Sequence, residues 1–179
     1  MSMELQTFKN KFKLVQQITW DDIFDKFDYE YRNREKTDTG SYFSSPADSF
    51  LGTLVLRDHD YRTPNIENAL KEAQDSNIVP NSNSIDDMQF YCSLSSESLA
   101  GSMHSDQEDV LLIQCKGLIK YQFDRESVTL SPGDALFIPR LLSHKAVVLE
   151  PRITMSLSWM DGPEWNNSDE FHVVYTEGN

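Results

Sequence analysis

Four histidines occur in the chain, His59, His104, His144 and His172, and two of them stand in company that could do chemistry. His104-Ser105-Asp106 is an H-x-D triplet just ahead of the apolar run 110–115 (VLLIQC). On an extended backbone, residues i and i+2 project to the same face, so this imidazole and carboxylate can converge on one point. His144 follows a second apolar run, 135–139 (ALFIP), after a short connection. In a rolled antiparallel sheet a facing strand can deliver it to the same place. Two imidazoles and one carboxylate on one face of an ion leave the opposite positions open, which is the facial arrangement suited to non-haem iron(II). Plainer readings stand beside this one. An isolated H-x-D is common in solvated loops, and His144 alone would pass for an ordinary loop histidine. His59 lies in a polar stretch and His172 in a tail segment, and both read as surface residues.

The elements that must position these residues are mostly strands. From position 88 onward short apolar runs recur at regular spacing: 88–94 (MQFYCSL), 110–115, 118–123 (LIKYQF), 128–130, 135–139, 145–149 (KAVVL) and 152–159 (RITMSLSW). Turn signals at Lys116-Gly117 and Ser131-Pro-Gly-Asp134 separate them. Strands so spaced, without intervening helices, predict an all-β sandwich or barrel. The run 110–115 is almost continuously apolar, as expected of a strand covered on both faces.

The first 87 residues are mixed. Thr19, followed by Asp21 and Asp22, predicts a helix start, with Ile23, Phe24 and Phe27 sharing an apolar face. Residues 50–56 (FLGTLVL) predict a strand. Residues 64–75 predict a second helix, with Thr63 as cap, Pro64 at its first position, and Ile66, Ala69, Leu70 and Ala73 on one side. A last strand is expected at 171–175. The organisation expected is a single structural domain, with residues 1–87 packing on a β core formed by 88–179.

Composition narrows the class. The 179 residues include 29 acids and 16 bases, for a net charge of −13. That argues against a nucleic-acid or anionic-membrane surface, which would need clustered Lys and Arg. No apolar run reaches the ~20 residues of a membrane helix, and the N-terminus lacks the apolar core of a signal peptide. Cys92 and Cys115 fit neither a disulfide framework nor a zinc pattern and read as buried free thiols. A cytoplasmic protein is the expectation, and the sequon at 166–168 carries no weight there.

The stretch 104–117 (HSDQEDVLLIQCKG) resembles the metal-binding strand of JmjC-like, cupin-fold oxygenases. It is most similar to the cupin-like, ribosomal-oxygenase-type branch, which carries H-x-D, a short acidic stretch, an apolar strand and a Gly turn. The stretch 130–144 (LSPGDALFIPRLLSH) resembles the second element of the same family, a Pro-Gly-Asp turn before a strand and then the distal histidine. The resemblance covers about residues 88–160. It implies a mainly β double-stranded β-helix (cupin or jelly-roll) barrel with a partly helical N-terminal region. It also implies an Fe(II)- and 2-oxoglutarate-dependent oxygenase (hydroxylase), with His104, Asp106 and His144 as metal ligands. Tyr91 falls where relatives place a tyrosine that contacts 2-oxoglutarate, with Gln89 at a neighbouring polar position. A core aromatic with its hydroxyl at the rim is the other reading of Tyr91.

Two departures from the family pattern matter. Relatives bind the far carboxylate of 2-oxoglutarate with a Lys or Arg two residues after the Gly turn, where this chain has Ile119. Lys120 is one place later, and one place turns a strand side chain to the opposite face unless a bulge intervenes. Arg152, in an Arg-x-Thr pair with Thr154, resembles how other 2-oxoglutarate oxygenases hold that carboxylate. An exposed strand residue is its more ordinary reading. Only 40 positions separate His104 from His144, which leaves little chain between them for a substrate platform. A small molecule or a peptide, neutral or basic, is the substrate expected, and the remaining apolar N-terminal residues leave room for a homodimer. A cupin-fold metalloprotein using the same ligands without 2-oxoglutarate, and a non-catalytic cupin binding module, are the competing functions.

Overall fold

The computed structural model describes residues 4–33, 51–57, 62–79, 85 and 87–160. His59, His172, the sequon and the strand expected at 171–175 lie outside the described residues. The strands are β1 (Gln6–Phe8), β2 (Thr53–Arg57), β3 (Asp87–Ser93), β4 (Asp109–Lys116), β5 (Ile119–Gln122), β6 (Ser127–Leu130), β7 (Ala135–Ile138), β8 (Lys145–Val148) and β9 (Arg152–Trp159). A 3-10 helix (Leu14–Gln17) precedes helix α1 (Trp20–Asn33), and α2 (Pro64–Gln74) lies between β2 and β3. Among the described residues no helix is long and apolar enough to cross a membrane.

The strands form two antiparallel sheets. The larger has the order β1-β7-β4-β9-β3-β2, and the smaller β6-β5-β8. The mainly β, cupin-type barrel expected of the sequence is therefore present. Its N-terminal residues do more than pack on it, because β1 and β2 form the two edges of the larger sheet.

Two hydrophobic clusters lie on opposite faces of that sheet. Leu111, Ile113, Ile153, Met155, Leu157 and Trp159 meet a layer built from the 3-10 helix, α1 and α2. Val110, Leu112 and Leu136 point the other way, toward Ile119, Tyr121 and Leu130 of the smaller sheet. Both faces of β9 are thus covered, and all eight of its residues are buried despite the polar–apolar alternation of RITMSLSW. The apolar set packs against helices, and the polar set is left to line the barrel interior.

Local chemistry sets the helix starts. Thr63 Oγ1 accepts from the Ile66 amide, with Pro64 in the first turn. In α1, Asp22 accepts from both the Thr19 amide and its hydroxyl at 2.7 Å, and the Asp22 amide donates back to Thr19 Oγ1 at 3.2 Å. Asn65 of α2 also donates to Asp22. The expected face of α1 is only partly realised. Ile23 is buried and Phe27 packs on the core, but Phe24 is 51% exposed and rests on Trp20. At ~100° per residue, adjacent positions cannot share a narrow buried stripe, and Lys26 occupies the covered side instead.

The Ser131–Asp134 turn fastens the N-terminal arm to the barrel. Asp134 accepts from Lys9 Nζ, the Asn10 amide and the Ser131 amide. Burial pushes its carboxyl up, but those donors outweigh it and hold the group below its ordinary value. Gly133, at φ +89°, lies against the arm, where a Cβ would come within 2.8 Å of the Phe12 carbonyl oxygen. Both cysteines are buried thiols, as expected.

Candidate metal centre

His104 lies in the loop between β3 and β4, and His144 ends the connection between β7 and β8. The two form an isolated antiparallel bridge. The His104 amide donates to the His144 carbonyl at 3.0 Å, and the His144 amide returns the bond at 2.8 Å. Backbone pairing therefore places the two imidazoles side by side, with ring centroids 4.5 Å apart.

Asp106 completes the group. One of its oxygens lies 3.8 Å from His104 Nε2 and the other 3.5 Å from His144 Nε2. The three ligand atoms all fall within 4.8 Å of one another. Each ring is oriented by a carbonyl. His104 Nδ1 donates to Ser102 O at 2.9 Å, and His144 Nδ1 donates to Leu142 O at 3.0 Å. A carbonyl can only accept, so each Nδ1 carries a proton, and in the neutral form of either ring the Nε2 beside Asp106 is the nitrogen left to ligate. Two neutral imidazole nitrogens and a carboxylate oxygen are a donor set for a divalent transition metal. The site faces outward: His144 is buried, while the side chains of His104 and Asp106 are 48% and 37% exposed.

The triad lines a cavity of about 330 Å³ in the barrel. Tyr91, Tyr121 and Arg152 line its buried end, and Gln89, Asp87 and Glu108 line its polar wall. Arg152 is 2% exposed, not the surface residue that its alternating strand suggested. The covering sheet β6-β5-β8 is what buries it. Its Nη1 donates to Thr154 Oγ1 at 2.8 Å and its Nε to Ser93 Oγ at 3.3 Å. Its Cζ lies 5.9 Å from the centre of the Tyr91 ring. Among the described residues no carboxylate forms an ion pair with it.

Burial pushes the Tyr91 phenol up to about 12, with Tyr121 and the Asp106 carboxylate adding to the rise and Arg152 opposing it. Tyr91 thus feels both the triad and the arginine. Burial also raises Tyr121, against the pull of Arg152 and Thr154.

The sequence-chosen residues divide clearly. His104, Asp106, His144, Gln89, Tyr91 and Arg152 all border the cavity. Lys120 does not. It lies on the face of β5 opposite Ile119 and Tyr121, which are buried in the barrel. A bulge does occur near the Gly turn, but at Cys115, where β4 slips against β9 between Gln114 and Lys116. It leaves Lys120 outside. Sequence reasoning missed Tyr121, which it placed only within the strand run 118–123. Its alternation with Ile119 and Phe123 was the available signal.

No known protein-family profile and no curated protein matches the chain in sequence. Solved structures do resemble it. The structure of YcfD, a ribosomal oxygenase from Escherichia coli in complex with cobalt and 2-oxoglutarate, superposes over 98% of this chain and 58% of that one, at 16% identity and a TM-score of 0.61. Another structure of YcfD matches at 28% identity over 46% of this chain and 26% of that one, with a TM-score of 0.40. A cupin superfamily protein from Desulfitobacterium hafniense matches at 17% identity over 46% of this chain and 73% of its own, also at 0.40. This chain spans 58% or less of the length of these YcfD chains. The first likeness is one of fold alone: the strands of this chain follow the mainly β, cupin-type arrangement of that structure.

Proposed function

We propose that the protein is a non-haem Fe(II)- and 2-oxoglutarate-dependent oxygenase that hydroxylates a substrate. One observation carries this reading: a buried guanidinium without a carboxylate partner among the described residues lies in the same cavity as a two-histidine, one-carboxylate triad. A buried cation needs an anion. A dicarboxylic co-substrate meets both requirements, with one end for the metal and the other for Arg152.

In this reading His104, Asp106 and His144 hold the iron, which when bound supplies the activation of dioxygen coupled to decarboxylation of 2-oxoglutarate. The chain's own contribution is positioning. Arg152 receives the far carboxylate through two parallel N–H donors, and Thr154 fixes the plane of the guanidinium. Tyr91 and Tyr121 stay protonated at neutral pH, so their hydroxyls can donate to the same anion. Val110, Leu112 and Ala146 give the cavity dry walls that keep water from the reacting groups. The open side, where His104 and Asp106 reach solvent, receives the substrate.

The net charge of −13 suits a neutral or basic substrate, small or peptidic, and no nucleic-acid or membrane partner. Buried thiols and ferrous iron both suit a reducing compartment such as the cytoplasm. The test is release of succinate from 2-oxoglutarate by the purified protein with Fe(II), ascorbate and O₂. Slow uncoupled turnover without substrate is expected, and it should disappear in His144→Ala. Tight metal binding with neither succinate release nor 2-oxoglutarate binding would overturn the oxygenase and leave a cupin-fold metalloprotein.

A further inference from the structure

We infer that Asp109 is a positioning residue for the metal centre, acting through Arg140 on the loop that carries His144. This rests on the metal-binding role proposed for the triad. Asp109 opens β4, three residues after Asp106, and its side chain is 8% exposed. It touches none of the three ligands. Its carboxylate instead takes three donors from one residue of the facing loop. The Arg140 amide donates to Oδ1 at 2.8 Å, Arg140 Nη2 to Oδ2 at 3.0 Å, and Arg140 Nε to Oδ1 at 3.4 Å.

Arg140 begins a strained turn. Leu141 follows it at φ +65°, a left-handed conformation that costs a branched side chain about 1 kcal/mol or more. The Leu141 amide donates to the Asp106 carbonyl at 2.8 Å, and the Leu142 amide donates to Pro139 O at 3.2 Å. Leu142 in turn supplies the carbonyl that orients the His144 ring. Loop 139–144 is therefore laced to loop 104–109 by Arg140–Asp109, Leu141–Asp106 and His144–His104. The last two links are backbone to backbone and would form with many side chains. Only the first depends on residue identity. Asp109 thus fixes the turn that sets the distance between His144 and Asp106.

The test is metal affinity, measured by Co(II) titration of the full chain well below the unfolding temperature of each variant. Asp109→Ala should weaken Co(II) binding by roughly 10- to 100-fold, as removal of outer-sphere partners does, and should alter the d–d spectrum. Asp109→Asn keeps an acceptor for the Arg140 amide but loses the charge, so its affinity should fall between Asp109→Ala and wild type. Should Asp109→Ala fail to fold, Asp109→Asn decides. Asp134→Ala is the control, since it unfastens the N-terminal arm from the β6–β7 turn. It should lower the unfolding temperature without changing Co(II) affinity. Co(II) affinity within about twofold of wild type in the Asp109 variants would overturn the inference alone, on the scale of the outer-sphere effect expected. Failure of the wild-type chain to bind Co(II) would overturn the metal reading with it.

Discussion

The guanidinium of Arg152 donates to the Thr154 hydroxyl at 2.8 Å, and the two residues are successive members of the inward face of β9. Thr154 Oγ1 donates onward to Gln114 Oε1 at 2.7 Å. The side-chain Nε2 of Gln114 in turn donates to the Lys116 and Gly117 carbonyls at the end of β4. A relay of oriented donors thus runs from the bulged strand end to the arginine. Such a relay fixes the plane of the guanidinium, and that plane is what bidentate recognition of a carboxylate uses.

On the proposed function, Arg152→Ala should therefore raise the KM for 2-oxoglutarate by about 30-fold or more, since stranding a buried charge costs on the order of 2–5 kcal/mol. Arg152→Lys should recover part of the loss, because it keeps the charge without the fork. Lys120→Ala should leave this KM unchanged, because Lys120 lies outside the cavity. Succinate-release kinetics measure all three. A large effect at Lys120 with none at Arg152 would mean that the co-substrate enters from another side.

Metal binding should also register as stability. An ion present at about 100 times its Kd adds about 2.7 kcal/mol to the folded state. For a chain of this size each kcal/mol is worth about 2–4 °C in Tm. Chelation should therefore lower Tm by about 5–10 °C. His104→Ala and His144→Ala should lose the shift altogether, which differential scanning fluorimetry with added Mn(II) would read directly. A wild-type Tm indifferent to metal would argue against the centre.

Much of this arrangement was legible in the sequence, for definite reasons. Period-two alternation marks β9, and an H-x-D triplet ahead of an apolar strand marks the start of β4. Alternation separates two faces but does not say which is wet. Arg152 in RITMSLSW therefore had an exposed strand residue as its ordinary reading, although a helical layer covers one face of β9 and the smaller sheet the other. The burial of Arg152 was hidden for that reason. The Asp109–Arg140 pair was hidden differently, because it joins residues 31 apart that only the folded sheet brings together. Lys120 was the reverse case. Its residue type suited the role, but its register on β5 puts it on the wrong face.

Two glycines with positive φ separate backbone strain from steric conflict. Gly117 has φ +67°, and a Cβ there would sit 2.0 Å from the Pro151 carbonyl oxygen, so the backbone itself would have to move. Gly101 has φ +93°, with nothing within 4 Å. Gly101→Ala should cost about 1–2 kcal/mol from conformation alone. Gly117→Ala should cost about 4 kcal/mol or more. Urea midpoints would separate the two, and equal midpoints would mean that the β4–β5 turn can relax around the added methyl group.

Stability should fall at high pH through groups that burial keeps protonated. Burial holds Tyr91 at about 12 against an ordinary 10.0, and Cys115 at about 12 against 9.0, and it raises Tyr121 as well. Above the ordinary values the unfolded chain releases these protons and the folded chain keeps them. The folded state then binds more protons, so unfolding becomes easier as pH rises. The contribution of Cys115 should be complete below pH 9.0 and lost toward about 12, and that of Tyr91 complete below 10.0 and lost over the range above it. Tyr91→Phe should flatten the upper part of the decline in urea midpoint, and Cys115→Ala the part that begins earlier. Absorbance of tyrosinate should show the same phenols ionising last. Were Tyr91 to titrate with the exposed tyrosines, its hydroxyl would stand in water, unfit to hold a carboxylate in a dry pocket.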